Sequence, residues 1–152
     1  MIYVIDHEDS FTYNLVHLLE GFAPTYVSNY YDINWQKLEK SKIIIFSPGP
    51  GSPSHYPETQ KVFKKFKGNK KIIGICLGFQ QILYAENANI VPQKKIYHGY
   101  QSKIKVLKES ALFKPNKVFL VGRYHSLKLK EPFNSSSIKI TMRCVESNVA
   151  MA

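Results

Sequence analysis

The sequence predicts an α/β fold, a mostly parallel sheet with helices on both faces plus a small antiparallel extension. Three observations point there. Short apolar runs alternate with amphipathic segments through the first half, the pattern of right-handed βαβ crossovers. The polar and glycine-rich motifs fall directly after those runs, where parallel strands end and ligands bind. From Lys95 onward the chain turns β-rich, with turn residues between the pieces, which suits antiparallel strands at a sheet edge.

The elements follow in order. Ile2 to Asp6 reads as a short apolar strand, and Ser10 is placed to cap a helix carrying Phe11, Leu15, Leu18 and Leu19 on one face, stopped at Gly21. Thr25 to Val27 is a second strand, Trp35 to Leu38 a short helix, and Ile43 to Phe46 a buried third strand. Pro57 to Phe66 is a helix and Lys71 to Ile75 a fourth strand. Ser102 to Leu107, Lys117 to Val121 and Arg123 to Leu127 read as antiparallel pieces, with turns at His98-Gly99 and Lys114-Pro115-Asn116. Glu131 to Ser137 is a polar loop, and Ile138 to Met142 a last strand.

Gly74-Ile75-Cys76-Leu77-Gly78 carries the chemistry. It sets one cysteine on a sharp strand-to-helix turn, the arrangement that serine occupies in the nucleophile elbow of α/β-hydrolases. Small residues on either side are needed because the turn leaves no room for Cβ atoms. The positive end of the following helix faces the sulfur and is expected to favour thiolate over thiol. A cysteine so placed is suited to attack a carbonyl. Ser47-Pro48-Gly49-Pro50-Gly51-Ser52-Pro53 follows the third strand, beside that turn, and its glycines let backbone N–H groups come close to a bound group. The Gly-Lys-Ser/Thr ending of a phosphate-binding loop is absent.

Composition narrows the class. At 152 residues, 44% hydrophobic and 21% charged, the chain is expected to form one globular domain over 1–152. No apolar stretch approaches the roughly 20 residues of a bilayer span, and the N-terminus lacks a signal-peptide layout, so a cytoplasmic protein without a membrane partner is expected. The formal charge of +10 comes mainly from scattered lysines, without an arginine stripe or a helix-turn-helix, RNP or zinc-finger spacing; nucleic acid is not expected as a partner. Cys76 and Cys144 stand in unrelated contexts, which argues against a disulfide scaffold and fits a reducing compartment. No Cys and His spacing suggests a metal site, and no cofactor is expected.

Residues 5–15 (Ile-Asp-His-Glu-Asp-Ser-Phe-Thr-Tyr-Asn-Leu), Ser47 to Gly51, Gly74 to Gln80 and Arg123 to Leu127 together resemble the class I glutamine amidotransferases. More narrowly, they resemble the glutaminase subunit of anthranilate synthase and its relative in aminodeoxychorismate synthase. The resemblance implies a flavodoxin-like core and a thioester mechanism. Cys76 is the implied nucleophile, and the backbone N–H groups of Leu77 and Gly49 are the implied oxyanion donors. Gly49, Pro50, Gly51, Gln80, Ser126 and Leu127 match positions that hold L-glutamine. The implied partner is a synthase subunit that binds chorismate and receives the ammonia, in a hetero-oligomer.

Two departures from the family pattern bear on activity. Phe79 stands where the family usually has histidine, which is expected to alter packing rather than chemistry. The His-Pro-Glu motif that supplies the base and its orienting acid does not occur in the 152 residues, so a C-terminally incomplete domain with impaired glutaminase activity is expected, the alternative being a catalytically silent regulatory or scaffold subunit of the same synthase. Glu146, in Cys144-Val145-Glu146-Ser147, is expected to be a turn or surface carboxylate rather than a substitute acid. Among the histidines, His17 is expected at the surface and His98 before a turn glycine. His7 and His55 fall at the crevice edge near Cys76, and His125 falls in the glutamine-binding segment.

Overall fold

A computed structural model describes residues 1–110 and 112–152, which divide into two compact units, Met1–Asn87 and Ala88–Ala152. The first unit holds β1 (Ile2–Asp6), α1 (Thr12–Glu20), β2 (Thr25–Asn29), α2 (Trp35–Lys40), β3 (Ile43–Phe46), a 3₁₀ turn at Pro53–His55, α3 (Pro57–Phe66), β4 (Lys71–Gly74) and α4 (Leu77–Ala85). Its four strands are parallel in the order β2-β1-β3-β4.

Strand periodicity distributes the core. Tyr3, Ile5, Ile44 and Phe46 point to one face and pack with Leu38 of α2 and Val62, Phe63 and Phe66 of α3. Ile2, Val4 and Ile45 point to the other and meet Val16, Leu15 and Leu19 of α1. Helices therefore cover both faces, which explains why β1 and β3 read as unbroken apolar runs.

The start and inner face of α1 differ from expectation. Asp9, not Ser10, holds the start: its carboxylate accepts the Phe11 N–H at 2.8 Å, and its carbonyl accepts the Thr12 N–H at 3.1 Å. The inward stripe is Thr12, Leu15, Val16 and Leu19, at spacing i, i+3, i+4, i+7, while Phe11 and Leu18 are exposed. Gly21 does end the helix, in a right-handed conformation. β2 runs two residues beyond the expected Val27, to Asn29, and β4 ends at Gly74.

The second unit is a separate antiparallel sheet in the order β6-β5-β7, from β5 (Ile90–Val106), β6 (Val118–Leu129) and β7 (Met142–Cys144). The pieces expected at 117–121 and 123–127 form one continuous strand. His98-Gly99 is not a turn between strands: it lies inside β5 as an irregularity between His98 and Tyr100, with Gly99 at φ +75. Lys114-Pro115-Asn116 does turn the chain, with Asn116 at φ +66 donating its N–H to the Val106 carbonyl at 2.9 Å. The last strand begins at Met142 rather than Ile138, and the Thr141 and Met142 N–H groups both donate to the Ala152 carbonyl.

A Cβ added at Gly78 would collide with the backbone carbonyl of Phe46, whereas one at Gly21 would meet only ordinary contact at 3.4 Å. Gly78→Ala is therefore expected to lower stability by about 3 kcal/mol, the upper range for forced overpacking. Gly21→Ala is expected to be nearly neutral, and urea unfolding of the two variants measures the difference.

Candidate active site

The close approach at Gly78 builds the elbow. β4 ends at Gly74, the Ile75 N–H donates to the Phe46 carbonyl at 3.1 Å, and Cys76 occupies φ +53, ψ −106, a conformation L-residues rarely adopt. α4 begins at Leu77, and the Gly78 N–H reaches the Ser47 carbonyl at 3.2 Å. A Cβ on Gly74 would collide with the Gly78 backbone, so both small residues flanking the cysteine are required by contact.

The proline-glycine loop lies against this turn. A Cβ on Gly49 would stand 2.5 Å from the His7 Cβ and 2.6 Å from Leu77 Cδ2, so Gly49 packs directly between β1's exit and the first residue of α4. The Pro50 carbonyl accepts the Tyr56 hydroxyl at 2.8 Å. Gly51 sits at φ +73 beside the exposed His55. Gln80 is buried, one turn into α4, and its N–H donates to the Cys76 carbonyl at 3.1 Å. The structure thus brings Gly49, Leu77 and Gln80 to the strand-to-helix turn at Cys76, while Pro50 and Gly51 pack toward Tyr56 and His55. Ser126 and Leu127 are half-buried residues of β6 in the second unit.

Burial reverses the expectation about the thiol. Removal from water pushes the Cys76 pKa up from its ordinary value, and the Asp9 carboxylate adds to the rise; the opposing contribution of the Leu77 N–H is smaller. The positive end of α4 was expected to favour thiolate, whereas withdrawal of the half-buried sulfur from water favours the thiol.

None of the histidines is arranged as its base. His7 is fully buried: its Nε2 meets Thr59 Oγ1 at 2.9 Å and its Nδ1 meets the Ser47 carbonyl at 3.2 Å. Since a carbonyl can only accept, Nδ1 carries the proton and Nε2 accepts the Thr59 hydroxyl. Burial holds its pKa down to about 4, against smaller upward effects from the Ser47 carbonyl and Asp6. His125 donates from Nδ1 to the Leu127 carbonyl at 2.9 Å and accepts Arg123 Nε at Nε2, 3.1 Å away. Burial, then the Arg123 charge, lower its pKa. His17, His55 and His98 are exposed.

Several supporting residues escape a reading of the sequence. Ser47 and Thr59 hold His7, and the buried Gln81 links Gln60 to the Pro53 carbonyl, joining α3, α4 and the loop. Only their polarity inside apolar periodicity hints at such work. In the second unit the buried Arg123 stacks on Tyr97 at 3.7 Å and donates to Gln93 Oε1, Cys144 Sγ and Ser147 Oγ, each at 3.2 Å. Glu146 is exposed in the turn after β7, as expected. It accepts from Cys144 Sγ at 2.9 Å and the Lys103 N–H at 3.0 Å, which hold its pKa down to about 2. Among the described residues, no cluster of His, Cys, Asp or Glu is arranged to hold a metal ion, and no helix is long and apolar enough to cross a membrane.

An elbow cysteine with a glycine loop packed beside it, on a parallel sheet, defines a class of protein, and comparison with known sequences agrees. Residues 3–152 match the family model for class-I glutamine amidotransferases, and the chain belongs to that family. It is 36% identical to anthranilate synthase component 2 of Lactococcus lactis, over all of this chain and 78% of that one. It is 41% identical to the protein of the same name from Cyanidium caldarium, over 84% of this chain and 67% of the other. The fold superposes on a glutamine amidotransferase from Thermotoga maritima with a TM-score of 0.75 at 13% identity, covering 98% of this chain and 68% of that one.

Two pH dependences follow. Alkylation of Cys76 by iodoacetamide, followed by peptide mass spectrometry, is expected to rise about tenfold per pH unit from 7 and still to be rising at pH 9; a plateau near pH 7 would show a stabilised thiolate. The folded chain keeps His7 neutral down to about 4 while the unfolded one protonates it near 6.5, so its stabilising contribution is complete above pH 6.5 and lost as pH falls toward 4. The loss amounts to about 3 kcal/mol. Urea unfolding between pH 7.5 and 4.5 is expected to show a shallower decline in His7→Gln than in the parent.

Proposed function

We propose that the chain is the glutaminase subunit of an anthranilate synthase, with L-glutamine as substrate and a chorismate-binding synthase chain as partner in a hetero-oligomer. The observation that supports this reading is Gly49 packed on Leu77 at the Cys76 turn, and in this reading the backbone N–H groups of those two residues are the oxyanion donors. The names of the relatives support the choice of synthase.

In this reading the Cys76 sulfur attacks the side-chain amide carbon of glutamine, forming a C–S bond while the carbonyl electrons move to oxygen. The Leu77 and Gly49 N–H groups hold that oxyanion. Collapse breaks the C–N bond and releases ammonia, whose third hydrogen comes from the thiol proton. Water then cleaves the γ-glutamyl thioester to glutamate and restores the thiol. In this reading Gly49 to Gly51 and Gln80 hold the substrate in the first unit. Because Cys76 rests as a thiol, a base must take its proton before attack, and His7 and His125 have both ring nitrogens committed. Slow turnover by these residues alone is the expectation.

A glutamine-mimicking chloroketone tests the reading. It is expected to add one equivalent to Cys76 with loss of chloride, to be blocked by excess glutamine, and to leave Cys76→Ser unmodified, all read by intact mass. Glutamate release is expected to be slow alone and to rise with a chorismate-binding synthase chain. A folded protein that glutamine does not protect from the chloroketone would overturn the assignment.

A further inference from the structure

We propose that His7 is a positioning residue, clamped between Ser47 and Thr59 so that it sets the backbone pose of Ser47-Pro48-Gly49 and thereby the Gly49 N–H. The role as an oxyanion support rests on the glutaminase reading; the clamp itself does not.

The clamp has contacts on every side. The His7 N–H donates to Ser47 Oγ at 2.9 Å, and that hydroxyl in turn donates to the Pro48 carbonyl at 2.6 Å. The imidazole ties the Ser47 carbonyl to Thr59, in the first turn of α3. Behind Thr59, Val62, Phe63 and Phe66 seat α3 in the core, so the imidazole is braced by a rigid element. The ring stacks near-parallel on Tyr30 and meets Phe46 and Tyr56 edge-on, with centroids 6.2, 6.4 and 4.8 Å away, which leaves it no room to swing.

Gly49 then lies directly on this residue, within 2.5 Å of the His7 Cβ and 2.9 Å of its carbonyl for an added Cβ. Tyr56, whose ring leans on the imidazole, holds the Pro50 carbonyl through its hydroxyl. One buried layer therefore fixes the loop both before and after Gly49. With a proton on Nδ1 and an accepted hydroxyl at Nε2, the ring has nothing left to exchange with a substrate. Its effect on reactivity passes entirely through the loop.

Thr59→Val removes the hydroxyl without changing shape, and Thr59→Ser restores it. In Thr59→Val, hydrogen exchange at the Gly49 amide is expected to quicken about tenfold, and the limiting rate of Cys76 labelling by the chloroketone to fall about tenfold with half-saturation unchanged. Thr59→Ser is expected to stay within twofold of the parent on both measures. Iodoacetamide, which draws on no oxyanion donor, is expected to label Cys76 in all three at rates within twofold. Ser47→Ala, which removes the acceptor of the His7 N–H, provides the same comparison if the valine variant does not fold. Parent-like exchange at Gly49 in a folded variant overturns the clamp. Altered exchange with chloroketone and iodoacetamide rates falling together overturns the link to the oxyanion. A parent that the chloroketone labels without protection by glutamine removes the glutaminase reading, and the exchange data still decide the clamp.

Discussion

The carbonyls of Phe46 and Ser47 organise the first unit. Ile75 and Gly78 donate to them in turn, so the exit of β4 and the start of α4 are both bonded to the exit of β3. Such backbone-to-backbone approach tolerates no side chain, which is why Gly74 and Gly78 bracket the cysteine. It also forces Cys76 into a left-handed conformation. The tension of that turn is sustained because β3, to which it is bonded, is buried on both faces and α3 and α4 are locked together through Gln60 and Gln81. A strained residue at a strand end persists only where its surroundings leave it no alternative.

Much of the first unit was legible because its signals are local. Apolar runs marked β1, β3 and β4, glycines marked the elbow, and Pro57 marked the start of α3. The misreadings have a common cause, in that two apolar residues of a helix do not announce which of them faces the sheet. Phe11 and Leu18 share a stripe adjacent to the buried one, and only the seat of α1 on Val4 and Ile45 decides between them. In the second unit, Gly99 reads as a turn glycine, yet the same positive φ serves a strand irregularity. Pairing across a distance, which one-dimensional patterns do not record, makes that choice.

The candidate site divides in the same way. Cys76, Leu77 and Gly49 were visible from turn chemistry, and the structure packs Gly49 on Leu77. The upward shift of the thiol was not visible, because it depends on how far the sulfur is withdrawn from water, and that desolvation exceeds the opposing hydrogen bond of the Leu77 N–H. The buried polar layer was likewise hidden. His7 follows a strand in the sequence and reads as a crevice residue, but its side chain turns inward among Tyr30, Phe46 and Tyr56. Arg123 was hidden likewise in the second unit, where it is buried against a tyrosine ring and bonded to neutral acceptors.

The withdrawn sulfur also bears on the redox life of the protein. Peroxide and disulfides react with thiolate, so a cysteine that keeps its proton passes slowly to sulfenic acid and onward. The burial that delays attack on a carbonyl thus shelters Cys76 from oxidants between encounters with anything able to take its proton. The turn combines an exacting backbone with a chemically patient side chain.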